Sequence, residues 1–403
     1  MGEKVKRRRE LCLFCAQCKH VTRFTLHDPT TSNQLTSNQK MNRNYYLFNP
    51  GRLRRQQNTI FFERYKQVTD DKVIADFEEA LEQEPEFRED EPETNFETTG
   101  EKKVIPIEDV DSLYVFGEAD FNKKFLNYCG QKHLPIHLFN YYGFYSGTFY
   151  PREFLNSGAL LIRQVQAHLD KTKRLELARA FVSGAAGNLV KNLQYYNTRG
   201  KDCSPFLSSI APLVEAIDQT GDVEQLMGIE GNIRQLYYQA WPLIIDQEID
   251  FTKRVKRPPD NMVNALISFG NTMVYTACLS EIYRTQLNPL ISYLHEPGTK
   301  RFSLSLDLAE IFKPLLADRL IFTLLNKKQL SEKDFKKKGR VCWLNEEGRK
   351  LFVKEFDQRL STTIKHRRLG RNVSYRRLIR LECYKLIKHL LGQETYEPFV
   401  IWW

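Results

Sequence analysis

Glu230, His295, Asp307 and Glu310 are ionisable groups set in stretches that otherwise read as apolar helix: GIEGNIRQLYYQAW, ISYLHE and SLSLDLAEIFKP. A carboxylate withdrawn from water is costly unless its charge is compensated, so several such groups in one apolar neighbourhood point to a divalent cation between them. Asp307 and Glu310, three residues apart, share a helix face among Leu304, Leu306, Leu308, Ile311 and Phe312. Ser303 or Ser305 would cap this helix, and Pro314 would end or kink it. Capping and the helix dipole, worth about 0.3 to 1 kcal/mol, account for an acidic pair near a helix start but not for Glu230 and His295. Glu230 shares a helical stripe with Ile233, Leu236, Tyr237, Ala240 and Leu243 and should face inward. His295 ends a helical stretch before Glu296-Pro297-Gly298, beside a loop that could admit substrate. Taken singly it reads as a packed core histidine; taken with the carboxylates it reads as a ligand. One imidazole and two carboxylates suit Mn²⁺ or Mg²⁺, which favour oxygen donors and keep positions open for water and phosphate oxygens.

The elements that must position these groups fall into an α+β arrangement, a small N-terminal β-rich domain followed by a larger, mainly α-helical catalytic domain. Residues 1–40 form an extension that should be poorly ordered, 41–156 the β-rich domain with an acidic mobile insert at 70–101, and 157–403 the helical metal-dependent, DNA-binding domain. Asn44 to Glu63 alternates apolar runs with turn residues, as hairpin strands do. Further strands are expected at Val104 to Ile107, Ser112 to Val115 and Pro135 to Asn140, with a short helix at Asn122 to Gln131 and turns at Gly143 and Gly147. From about Ser157 the period becomes helical. Arg174 to Leu193 is amphipathic, and Asn261 to Leu279 is apolar round most of its circumference, as a central helix would be.

A chain of 403 residues with 41% hydrophobic content can bury a large core. It has no run of 18 apolar residues, and MGEKVKRRREL lacks the apolar segment of a secretory signal, so neither membrane nor export is expected and the reading is cytoplasmic. Cys129, Cys203, Cys278, Cys342 and Cys383 stand in apolar or helical surroundings and read as buried free thiols. The net charge of +10 divides sharply: Asp70 to Glu101 carries 14 acids against Lys72 and Arg88, a net of −12, leaving +22 on the remainder. The acidic stretch has too little apolar content to fold by itself, and could screen a basic surface until DNA displaces it. Ser361 to Arg380 holds seven Lys and Arg and no acid, which suits either a polyanion surface or a solvated helix face.

Six segments then carry a resemblance: IPIEDVDSLYVFG, HLFNYYGFYSGTFYP, EGNIRQLYY, RPPDNMVNALISFGN, YLHEPG and SLSLDLAEIFKPLLADRL, in that order from about Asn42 onward. The chain resembles the CRISPR-associated integrase that inserts new spacers, the Cas one family. By that resemblance Glu230, His295 and Glu310 are the catalytic metal ligands, with Asp307 a nearby auxiliary carboxylate; family members can carry Asp where Glu310 stands. It implies a homodimer that joins a small ferredoxin-like partner (Cas two) and acts on double-stranded DNA, both prespacer and CRISPR repeat. A DNA 3′-hydroxyl would attack a phosphodiester, and the isolated protein would be a metal-dependent nuclease. That chemistry needs a metal and no covalent Ser or Cys. On charge alone, Arg301, and Arg367, Arg368 and Arg371 within the basic stretch, would hold DNA phosphates. Two other readings stay open: a stand-alone metal nuclease acting on branched DNA, and a nonenzymatic DNA-binding scaffold whose carboxylates are merely paired with Arg or Lys. The resemblance begins near Met41. Before it, Cys12, Cys15 and Cys18 with His20 could bind zinc or an iron–sulfur cluster, or be a remnant of fusion to a Cas four nuclease, or precede a true start at Met41.

Overall fold

The computed structural model describes residues 43–402 apart from 70, 84–90 and 299–300. The extension with Cys12, Cys15, Cys18 and His20 lies outside the described residues. Asn42–Trp403 forms one compact unit, β-rich first and mainly helical after, as the sequence patterning leads one to expect.

Eight strands open it: β1 (Arg43–Leu47), β2 (Gly51–Gln56), β3 (Thr59–Gln67), β4 (Phe96–Pro106), β5 (Val110–Val115), β6 (Ala119–Phe121), β7 (Ile136–Phe139) and β8 (Tyr145–Phe149). One sheet runs β1-β5-β7-β8, parallel up to β7 and closed by antiparallel β8; the other runs β4-β3-β2-β6. Side chains alternate across a strand, and β5 uses both faces. Leu113 and Val115 join Leu53, Ile60 and Ile136 in the core of the β-rich part, while Tyr114, with Phe116 just beyond the strand, enters the main helical core. The β-rich region is thereby bonded to the helices through a shared interior.

The acidic insert departs from expectation. Residues 71–83 form a helix, and β4 begins at Phe96, inside the stretch read as a mobile loop. Composition misses this because the support is long-range: β3 pairs with β4 as Tyr65↔Thr98 and Gln67↔Phe96. Glu78 of the helix accepts bonds from Tyr141 Oη (2.5 Å) and from Lys336 Nζ (2.6 Å). Lys336 belongs to β9 (Phe335–Lys338), which forms a hairpin with β10 (Val341–Leu344).

The helix Met262–Tyr283 is capped by Asn261, whose side chain accepts from Asn264 N. It is long and apolar enough to cross a membrane by composition, but it is the buried axis of this fold. The helix Lys171–Asn197 packs on Ser303–Lys313. A Cβ on Gly184 would lie 2.6 Å from Pro398 Cβ, so only glycine lets the C-terminal tail lie this close to Lys171–Asn197. Ser303–Lys313 starts without the expected serine cap. Ser303 Oγ instead donates to Leu290 O at 2.8 Å, and Ser305 Oγ has no hydrogen-bond partner. Pro314, which has no N–H, opens a π turn (Pro314–Asp318) before the rod resumes as Arg319–Asn326. Amides from the neighbouring helix meet its carbonyls: Asn188 donates to Ile311 O at 2.9 Å, and Asn192 to Pro314 O at 2.8 Å. Asn188 also donates to Phe399 O and accepts from Ile401 N, fastening the C-terminal tail beside it. The five expected thiols, Cys129, Cys203, Cys278, Cys342 and Cys383, are buried and free.

His137 on β7 joins the two regions, with Nδ1 2.8 Å from Thr148 Oγ1 and Nε2 2.8 Å from Ser280 Oγ of the central helix. Burial, reinforced by Arg284, pushes its pKa down to about 3. The unfolded chain therefore takes up a proton near pH 6.5 that the folded chain refuses. Stability is fully present above that pH and declines on acidification toward 3 by about 1.4 kcal/mol per unit. Urea titrations of wild type and His137→Asn at pH 7 and pH 5 check this: the wild type should lose more stability across the interval, and equal losses would contradict it.

Candidate active site

Glu230 lies on the helix Val223–Gln239, which is capped at Asp222. One turn further on stands Arg234, whose Nε donates to Glu230 Oε1 at 2.6 Å. Its Nη2 donates to Glu310 Oε2, and Lys313 Nζ donates to Glu310 Oε1 at 2.5 Å. The two glutamates, 80 positions apart in sequence, thus grip one guanidinium. Burial works against ionising Glu310, yet Arg234, then Lys313 and His295, hold its pKa below the usual carboxylate range. His295 accordingly belongs to the same electrostatic neighbourhood. Burial likewise opposes the charge on Arg234, and Glu310 and Glu230 overcome it, raising its pKa further.

Asp307 takes different partners. It is fully buried, and its oxygens accept the backbone N–H groups of Tyr293 (2.7 Å), Leu294 (3.0 Å) and His295 (3.0 Å), together with His295 Nδ1 at 2.8 Å. A carboxylate can only accept, so Nδ1 carries the proton and Nε2 is the nitrogen left to bind an ion. The segment ending at His295 is not the helical stretch expected. Residues 286–298 are irregular, and Asp307 supplies the acceptors that a helix would have supplied. Exposure separates the roles. The side chains of Glu230 and His295 remain 23% and 20% accessible, while that of Asp307 is sealed.

Among the described residues, no three His, Cys, Asp or Glu side chains stand close enough to hold a metal ion as placed. The guanidinium of Arg234 occupies the space between the two glutamates. The donor set itself, two carboxylates and an imidazole whose other nitrogen is bonded to an acid, suits Mn²⁺ or Mg²⁺. Of the stripe expected to share Glu230's inward face, Ile233, Tyr237 and Ala240 are buried, but Leu243, in the separate helical turn Trp241–Ile244, is 44% exposed.

The basic groups divide. Arg301 is exposed ahead of the helix Ser303–Lys313, with Nη2 3.4 Å from Glu296 O. Arg367, Arg368 and Arg371 lie in the exposed turn of a hairpin between β11 (Thr363–Lys365) and β12 (Asn372–Ser374), where Arg368 pairs with Glu397 and Arg367 stacks over Trp402. Further along the basic stretch the charges turn inward: Arg376 binds Asp111 and Asp357, and Arg380 binds Glu281 at 2.6 Å. Sequence reasoning missed Arg234 and Lys313, although their spacing of four from Glu230 and three from Glu310 was a readable signal. It also missed Lys256, whose pKa burial lowers first and the charges of Arg254, Lys313 and Arg234 lower further, with Glu230 opposing them.

The sequence profile of the family described as CRISPR associated protein Cas1 matches residues 45–358. The chain is 50% identical over 363 residues to a CRISPR-associated endonuclease Cas1 of Fusobacterium nucleatum, covering 90% of this chain and 98% of that protein. The chain belongs to the Cas1 family. A second Cas1 endonuclease, from Thermodesulfovibrio yellowstonii, is 48% identical over 361 residues, 90% of this chain and all of that protein. In three dimensions, a Cas1 protein from Thermotoga maritima superimposes with a TM-score of 0.73 at 39% identity, over 88% of this chain and 98% of its own. The Cas1 fold also extends to a casposase bound to its integration product, with a TM-score of 0.71 at 18% identity over 89% and 93% of the two chains.

Proposed function

We infer that this Cas1-family chain is a CRISPR-adaptation enzyme, cleaving DNA phosphodiesters and transferring strands to insert new spacers into a CRISPR array. The observation that carries its site is the meeting of Glu230 and Glu310 on one guanidinium, beside a histidine whose Nδ1 is locked by Asp307. Glu230, Glu310 and His295 Nε2 would hold Mn²⁺ or Mg²⁺. Such an ion, when bound, polarises a phosphate and favours the ionised form of an attacking hydroxyl or water. The protein's own groups do the rest. Asp307 fixes the imidazole's tautomer and direction, and Lys313 and Lys256 attract the phosphate backbone. Arg301 and the exposed Arg367 and Arg371 extend the cationic surface, while Arg376 and Arg380 serve the fold. The working assembly is a homodimer with a small ferredoxin-like Cas two protein on double-stranded DNA in the cytoplasm. A solved Cas6-RT-Cas1–Cas2 complex has the same fold, at 16% identity and a TM-score of 0.71, and supports the Cas two part of this reading.

The ion pairs alone would equally suit a nonenzymatic scaffold. That reading leaves the orientation of His295 without a purpose, and the relatives named endonuclease weigh against it. The deciding experiment combines purified protein, its small partner, a short duplex with 3′-hydroxyls, a repeat-bearing plasmid and Mn²⁺. Joined products should form and vanish with chelator. Cleavage of branched DNA without any joining would leave a stand-alone nuclease, and DNA binding without any reaction would leave the scaffold.

A further inference from the structure

We propose that Arg234 is a built-in competitor for the divalent ion: its guanidinium stands where the ion must bind, and its displacement couples ion binding to capture of the DNA phosphate. The inference rests on the reading of Glu230, His295 and Glu310 as the ion's ligands.

The argument starts from what the two glutamates require. Glu310 is 5% exposed, and a buried carboxylate left alone is strongly unfavourable, so some cation must be present in every state of the folded protein. Arg234 meets that need on both carboxylates at once, with Nε on Glu230 and Nη2 on Glu310. A guanidinium does not give up its proton, so it leaves only by moving. An ion bound to the same two acids makes Arg234 redundant and repels it. The two arrangements are alternatives, and the free energy of moving Arg234 is subtracted from the ion's intrinsic affinity.

Charge then links the two ligands. In contact with one another, Glu230 and Glu310 carry −2 and Arg234 and Lys313 carry +2, a balance of zero. A divalent ion raises that balance to +2, and the released guanidinium gains five donors in need of an anion. Arg234 sits on the same helix as Glu230, one turn away, so a phosphodiester brought to the ion lies within its reach. The site is thus neutral and self-satisfied without the ion, and hungry for a phosphate with it. DNA should raise the ion's affinity and the ion should raise DNA affinity by the same factor.

The test is Mn²⁺ binding measured without DNA, by calorimetry and by the electron-spin signal of free Mn²⁺, on wild type, Arg234→Gln, Arg234→Lys and Glu310→Gln. Arg234→Gln should bind Mn²⁺ about tenfold more tightly than wild type. Its melting temperature should fall in chelator and recover with Mn²⁺ by more than wild type gains. Arg234→Lys, which keeps the charge but cannot bridge both acids, should fall between the two, and serves alone if Arg234→Gln does not fold. Equal or weaker Mn²⁺ binding in the Arg234 variants, with binding still lost in Glu310→Gln, overturns the competition and leaves the ligand assignment intact. Binding unaffected by Glu310→Gln overturns both.

Discussion

Glu310→Ala should abolish Mn²⁺-dependent strand cleavage and joining while DNA binding in chelator changes by no more than a few fold. The catalytic loss should be about a thousandfold or greater, because on the proposed assignment one ligand of an ion that would supply several kcal/mol of transition-state stabilisation is gone. DNA binding survives because Lys313 and Arg234, no longer tied to Glu310, still present their charge to phosphate. The fold should survive as well, since Arg234 keeps its bond to Glu230 on a side that retains solvent access. Glu230→Ala and His295→Ala should fall into the same class. Single-turnover cleavage of a labelled duplex, run beside an anisotropy titration, separates the two quantities. Retained cleavage in any of the three variants removes that residue from the reaction.

Asp307→Ala should be the most damaging single substitution for the fold around the site. One carboxylate receives three backbone N–H groups and an imidazole, all in a fully buried position. Each donor left without an acceptor costs about 1 to 3 kcal/mol, so with four donors a loss of about 4 kcal/mol or more is expected. Activity should fall with it even where the protein remains folded, because residues 293–295 lose the anchor that aims His295. Asp307→Asn keeps one acceptor oxygen but turns an amide N–H₂ toward donors, and should lie between the two. Urea unfolding at pH 7 gives the stability, and cleavage rates at a temperature where the variant is folded give the second effect. A variant as stable as wild type would show that the four bonds contribute nothing net.

Much of this architecture was legible in the sequence. Period-two runs and turn residues announced the strands, and helical spacing located the central helix, because those signals are local. The acids and histidine stood out because charged residues are rare in apolar helical sequence. What stayed hidden depends on residues far apart. Composition read the segment around Glu78 as solvated loop, since the partners that hold it, β3, Tyr141 and Lys336, lie outside it. Charge counting offered the whole of Ser361 to Arg380 as a polyanion surface, although Asp111 and Glu281 neutralise Arg376 and Arg380 from distant elements. Asp307 and Glu310 were rightly placed near one another on a helix, but three residues of spacing could not say that one would turn to a loop and the other to a guanidinium.

Asn188 gives the end of the chain an unexpected status. Its single amide serves Ile311, the residue after Glu310, and at the same time Phe399 and Ile401 of the tail. The final strip of polypeptide is therefore masonry beside the helix that carries Glu310 rather than a loose fringe. Its residues answer to the packing rules of an interior, and a peptide fused behind it would pull on the contacts that seat Ile311.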